Sequence, residues 1–362
     1  MKKAALALAG VLLAGVAIAA PERGPEGAPT GREVSASARF TPGEWPTGAA
    51  ITGDPAALAR QARSAADWLE AHPGHPAASA GVLAELGVSP RRVVDTLRRL
   101  AQIVEEDATS GAPSRLADAA FLDGQFEVRQ WAPDTAAAAG RNVSLGRDEL
   151  RLTRYFVPEI PGAAARTADF PVALYADPGP ELRERFTRKE VLDGVFEAGG
   201  AAAGAARALV WLSRADAHDA MMQGTVAVRL DTGTRTLNVH VPNGRPYHPG
   251  RSGDGQERLW YFREVDGAYG FGEGADKVRL EAGAAVAGDV YNLGVGALVG
   301  LRWATPAGER ARLVIVADTG GAFQPNLFQL DYFAGSFPDR AALYRATAEL
   351  PERVHAGVLL AR

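Results

Sequence analysis

The chain has 362 residues, 47% of them hydrophobic and 23% charged, with a formal net charge of -4. That composition is of an ordinary soluble globular protein with material for one large or two modest cores, and its scattered Lys and Arg, with no dense basic run, exclude a nucleic-acid surface. The absence of cysteine excludes a disulfide framework, a thiolate metal site, a cysteine nucleophile and a lipidated N-terminal cysteine.

Lys2 and Lys3, the apolar run Ala4 to Ile18 and the small-x-small triplet Ala17-Ile18-Ala19 predict a cleaved signal peptide over 1–19, with the mature chain starting near Ala20. The run is too short and too rich in Ala and Gly to span a bilayer, so the expectation is an exported, periplasmic protein. Residues 20–50 carry Gly, Pro, Ser and charge without a hydrophobic period and predict a flexible linker.

Asp54 caps a predicted helix in which Leu58, Ala62, Ala65 and Leu69 recur at three-to-four spacing up to His72-Pro73-Gly74. A second helix is split by Gly87 to Pro90; beyond the break Val93, Val94, Leu97, Leu100 and Ile103 share one face. After Phe121 the texture turns to short strands, among them 125–128, 150–156 and 225–230, interrupted by a helix from Thr187 to Glu197 with a capping box at Thr187 and Glu190. No strand-helix alternation supports a parallel nucleotide-binding sheet. The glycines at 270, 272 and 274 predict a flexible hairpin loop, not a phosphate loop, because no Gly-Lys-Ser/Thr follows.

The six histidines fall in different elements without i, i+4 pairing, so neither a metal nor any other cofactor is expected. No Gly-x-Ser-x-Gly elbow supports a serine hydrolase. Asp-Thr-Gly occurs at Asp231 and Asp318, the pair an aspartic protease requires, but Asp231 sits between two strand-like runs and reads more simply as a hairpin turn. The strongest chemical signal is Asp318, which ends the apolar run Leu313 to Ala317, together with Asp331 inside the run Leu327 to Phe333. A carboxyl among apolar residues resists ionisation and becomes a candidate acid.

Six short motifs in order, from Leu152 onward, resemble the membrane-bound lytic murein transglycosylase A family. They are Leu152-Thr153-Arg154-Tyr155-Phe156-Val157-Pro158, Thr187-Arg188-Lys189-Glu190, Gln223-Gly224-Thr225, Asn243-Gly244-Arg245-Pro246-Tyr247, Trp260-Tyr261-Phe262 and the three aspartates Asp289, Asp318 and Asp331. The resemblance implies a mainly β fold with N-terminal helices, an α+β arrangement. A helical scaffold and double-psi β-barrel domain, the three-aspartate domain among them, would occupy 51–160 plus 275–362, with a second β domain inserted over 161–274 and a glycan groove between. It further implies a monomer acting on peptidoglycan glycan strands, cleaving between N-acetylmuramic acid and N-acetylglucosamine to leave 1,6-anhydro ends. Asp331 falls on the catalytic position with Asp318 as its helper, while Thr153, Tyr155, Gln223, Tyr247 and Asp289 fall on or near the groove. When the sugar's own C6 hydroxyl attacks, one acid that later turns base suffices.

The likeness is broken in places. Phe323-Gln324-Pro325 stands where the family has Ile-Lys-Gly, which removes a groove cation, and two extra residues separate Asp318 from Asp331. The stretch from Tyr247 to Leu259 is shorter than the family's, and Ala284-Ala285 replaces its Arg-Ser. A non-catalytic glycan-binding barrel and a water-using glycosidase therefore stay open.

Overall fold

A computed structural model of the chain describes residues 35–45, 49–246, 248, 250–320, 323 and 326–362. The expected signal peptide, Tyr247, and the pairs Gly321-Ala322 and Gln324-Pro325 lie outside the described residues. Among the described residues no helix is long and apolar enough to cross a membrane.

The two long helices form where periodicity places them. The first, Pro55–Ala71, starts at Asp54, whose carboxylate accepts from the Ala56 amide at 2.8 Å, and buries Leu58, Ala62, Ala65 and Leu69. The second, Pro90–Ser110, has Ser89 as N-cap and Pro90 in its first turn, and buries Val93, Leu97, Leu100 and Ile103. Each buried leucine contributes about 1.5–3 kcal/mol against solvent exposure, so packing of these faces outweighs helix propensity. The helix expected over 187–197 is shorter, Arg188–Leu192, although both halves of its capping box form. It stops because Gly194 takes a left-handed φ of 96° two residues later.

Among the described residues there are sixteen strands, numbered in chain order. The first four are β1 (Phe40–Gly43), β2 (Ala50–Thr52), β3 (Phe126–Trp131) and the long β4 (Leu150–Pro161). Next come β5 (Val172–Tyr175), β6 (Ala208–Leu212), β7 (Thr225–Leu230), β8 (Gly233–Pro242) and β9 (Trp260–Val265). The C-terminal set is β10 (Ala268–Glu273), β11 (Asp276–Leu280), β12 (Ala285–Ala287), β13 (Leu298–Thr305), β14 (Gly308–Asp318), β15 (Gln329–Phe337) and β16 (Arg353–Ala361).

Six of these close on themselves. β16 pairs with β13, β13 with β14, β14 with β12, β12 with β15, β15 with β4, and β4 returns to β16. Closure removes the unpaired edges of the ring. Beyond residue 158, β4 leaves the ring and pairs with β7, which continues into β8 and β9. One strand thus joins two units, each with its own apolar core. One core holds the two long helices and the ring; the other holds residues between Val172 and Phe262.

Two segments differ from expectation. Part of the expected linker is ordered: β1 pairs with β3, and Phe40 and Trp45 are buried in the core. The Trp45 ring lies on Gly300, where a Cβ would come within 2.1 Å of it. Isolated aromatics without a period carry no sequence signal for such packing. The glycine-rich segment at 270–273 is strand rather than loop, pairing with β11 across a bulge. By contrast Asp231 and Thr232 do form the expected hairpin turn, between Leu230 and Gly233.

Candidate active site

Hydrogen-bond register assembles the site. Ala287 on β12 lies opposite Asp318 on β14 and opposite Asp331 on β15, and Asp331 in turn lies opposite Thr153 on β4. Residues directly opposite share a face of a sheet, so Asp318, Asp331 and Thr153 line one side of the ring. The aspartates stand two strands apart, about 10 Å between backbones. Asp318 joins this row through a bulge: Val286 pairs with Val316, but Ala287 pairs with Asp318, skipping Ala317. Bulges re-aim side chains in this way.

Asp331 is mostly shielded, and its Oδ1 is buried with no hydrogen-bond partner among the described residues. Burial pushes its carboxyl up to about 6, against the pull of the Thr153 hydroxyl and the charges of Arg151, Arg154 and Arg340. Thr153 is anchored in turn, its hydroxyl accepting from Gln329 Nε2 at 3.0 Å. A carboxyl titrating near 6 keeps its proton below that pH and is mostly ionised by pH 7, so in mildly acid conditions it can both give a proton and take one back.

Asp318 is pushed up to about 6 as well, again by burial. Unlike Asp331 its oxygens are engaged: Oδ1 accepts from the Thr319 amide at 2.8 Å and Oδ2 from the Tyr155 hydroxyl at 2.9 Å. Tyr155 lies two residues beyond Thr153 on β4 and packs on Phe333 at 5.2 Å between ring centres. Burial and the charges of Asp318 and Asp331 raise its phenol well above 10, so it stays protonated and donates. Tyr155 therefore holds Asp318 through its hydroxyl and also lines the cleft. Tyr155→Phe is expected to remove a hydrogen bond to a charged group, worth about 1.5–3 kcal/mol, and so to raise the Asp318 midpoint by about one to two pH units. Side-chain carboxyl NMR titration reads this directly; an unmoved midpoint would show that Tyr155 does not hold Asp318.

A cleft opens beside Asp318 and is lined by Tyr155, Gln223, Thr225, Tyr269 and Phe333 among others. Gln223 ends the helix Arg214–Gln223 and is exposed on the far wall, which belongs to the second unit. Asp289 is a correction: it is fully buried and caps the turn Val290–Leu293. Its oxygens accept from the amides of Tyr291, Asn292 and Asn326 and from the Asn292 side chain. No oxygen of it is left for a substrate, and its role is to tie β12 to the approach of β15.

Three contributors escaped the sequence reading. Gly270 lets the β10–β11 hairpin lie against Asp318, since a Cβ there would come within 2.7 Å of the Ala317 carbonyl and 2.9 Å of the Asp318 Cβ. Lys277, on the same hairpin, places a positive charge near Asp318. Its amine donates to Asn238 Oδ1 at 2.9 Å and the Val239 carbonyl at 2.6 Å. Asn238 is buried and donates to the Gly224 carbonyl, Thr225 Oγ1 and the Tyr269 carbonyl. A lysine at 277 and an asparagine at 238 carry no local signal for a meeting across 39 residues.

Fold and site together define a closed six-stranded ring with an inserted second sheet and an acidic cleft where they meet. Solved structures similar to this chain include lytic murein transglycosylases, the family that the sequence motifs resemble. MltA from Neisseria gonorrhoeae matches with a TM-score of 0.58 at 17% identity over 94% of this chain and 98% of that one. MltA from Escherichia coli with bound chitohexaose matches with a TM-score of 0.57 at 15% identity over 94% and 96%. The membrane-bound lytic murein transglycosylase from Agrobacterium tumefaciens matches with a TM-score of 0.54 at 16% identity over 83% and 91%. No protein-family model matches the sequence, and no curated relative does. At these identities the likeness is one of fold: the chain has the MltA-type fold.

Proposed function

We propose that this chain is an exported, periplasmic murein lytic transglycosylase that acts as a monomer on peptidoglycan glycan strands. The single observation that carries the chemistry is the buried, unpartnered Oδ1 of Asp331, raised in pKa and set in one row with Thr153 and Asp318. The fold likeness supplies the substrate class, since the Escherichia coli protein of this fold holds chitohexaose. The domain reading, a double-psi barrel over 51–160 plus 275–362 with an insert over 161–274, is supported by the closed ring and the two separate cores.

In the proposed reaction Asp331 gives its proton to the oxygen linking N-acetylmuramic acid to N-acetylglucosamine as the bond from C1 to that oxygen breaks. The C6 hydroxyl of the same muramic residue attacks C1, and its proton passes to the Asp331 carboxylate. The acid is thereby regenerated, and the products are a 1,6-anhydro end and a free 4-hydroxyl. No second carboxylate is required as nucleophile, because the intramolecular hydroxyl has a high effective molarity. Asp318, with both oxygens engaged, serves to hold Tyr155 and shape the field, and Gln223 offers an amide to sugar hydroxyl or N-acetyl groups from the opposite wall.

Incubating the mature protein with purified sacculi and analysing the soluble products by mass spectrometry tests this. Anhydro-muropeptides are the expected result. Reducing-end products would replace the proposal with a water-using glycosidase, and sedimentation with sacculi without release would replace it with a glycan-binding barrel.

A further inference from the structure

Lys277 is an unusual lysine in its surroundings. Most lysines keep their ammonium in water, but this one is directed inward from β11 and holds two acceptors of the second unit, Asn238 Oδ1 and the Val239 carbonyl. Both acceptors lie on β8, whereas Asp318, whose charge favours the ammonium, lies on β14 of the ring. Its position thus spans the seam between the two units that form the cleft walls. Asn238, held by Lys277 on its oxygen side, uses its amide to fix Gly224, Thr225 and Tyr269. Those residues carry the wall on which Gln223 sits and the hairpin that covers Asp318.

We propose that Lys277 is a positioning residue for glycan binding: it braces the Gln223 wall against the ring through Asn238 and supports the negative charge of Asp318. This deepens the transglycosylase reading and rests on it for the identity of the substrate.

The groups surrounding the ammonium allow its role to be isolated. On β14 the charge is Asp318, which carries the Tyr155 hydroxyl; on β9 it is Arg263, which disfavours the ammonium. On β8 the titratable side chain is His240, whose ring lies beside Gly274 of the hairpin. The hairpin itself carries Glu273, Asp276, Tyr269 and Arg279, the last paired with Asp266. The packed helix Pro55–Ala71 directs Arg60 to Glu281 and the Trp68 indole to the Asp276 carbonyl. Desolvation lowers Lys277 to about 8, while Tyr155 and Tyr269 are raised above 10. Of Lys277, Tyr155 and Tyr269, Lys277 is the one that titrates near pH 8.

The test uses chitohexaose binding by calorimetry on the whole protein, with the Asp318 carboxyl followed by NMR. In the wild type, affinity is expected to fall about tenfold between pH 7 and pH 9.5, with a midpoint near 8, as the brace loses its charge-assisted hydrogen bonds. Lys277→Met is expected to bind about tenfold more weakly at pH 7, to lose that basic limb and to raise the Asp318 midpoint; Lys277→Arg restores the charge and recovers most of the affinity. A wild-type profile flat from pH 7 to 9.5, or a folded Lys277→Met with unchanged affinity and unchanged Asp318 midpoint, overturns the proposal. Failure of the transglycosylase reading shows separately, as absence of anhydro products from wild-type protein that still displays these shifts.

Discussion

Asp331→Asn is expected to slow release of anhydro-muropeptides from sacculi by about 10²- to 10⁴-fold, the usual contribution of a positioned general acid. The change keeps the size and shape of the side chain and its place opposite Thr153, but removes the only proton that the proposed reaction can give to the leaving oxygen. Chitohexaose affinity should stay within a fewfold of wild type, which separates lost chemistry from lost binding. The wild-type rate should also follow protonation of Asp331. Its carboxyl is held near 6, so kcat/KM is expected to fall by about tenfold for each pH unit above that value. Full activity in the Asn variant, or a profile level from pH 6 to 8, would remove Asp331 from the acid role.

The same substitution is expected to stabilise the fold. In the unfolded chain the carboxyl ionises near 3.8, and in the native protein near 6, so the native state binds its proton more tightly. Below about pH 4 both states are protonated and the group costs nothing. Between about pH 4 and 6 the unfolded chain ionises while the native protein still holds its proton, so the penalty builds across that window and levels off above 6 at about 2–3 kcal/mol. Asp331→Asn removes the charge and that penalty, because an amide is neutral in both states. The variant should therefore be about 2 kcal/mol more stable at pH 7, an increase of a few degrees in Tm, and match wild type below pH 4. Equal stability at both pH values would mean that Asp331 is not desolvated. A gain in stability with a loss of activity at one position is what a strained functional group produces.

Much of the helical layer was legible because its signal is local. Leu58, Ala62, Ala65 and Leu69 share a face by periodicity alone, and Asp54 and Ser89 cap through bonds to residues two or three positions away. The hairpin at Asp231 was legible for the same reason. The strand at Phe40 and the burial of Trp45 were not, since their partners, Trp131 and Gly300, are far along the chain. Gly274 does sit in the expected hairpin turn, but Gly270 and Gly272 misled as loop residues because glycine marks both turns and close backbone approach, and only the neighbour, Asp318 for Gly270 and Asp276 for Gly272, distinguishes them.

The site divides likewise. By itself the sequence determined which residue types were available: two carboxyls in apolar runs, a Thr-x-Tyr strand and a glutamine before a glycine, in an order that resembles one family. Tertiary structure decided what each does. The bulge after Val286 sets Asp318, and not Ala317, in the row with Asp331; the capping bonds withdraw Asp289 from the cleft; the hairpin brings Lys277 to Asn238. The physical reason is that a carboxyl's proton affinity depends on its burial and on the charges and donors within a few ångströms, and strand register, not sequence spacing, sets those.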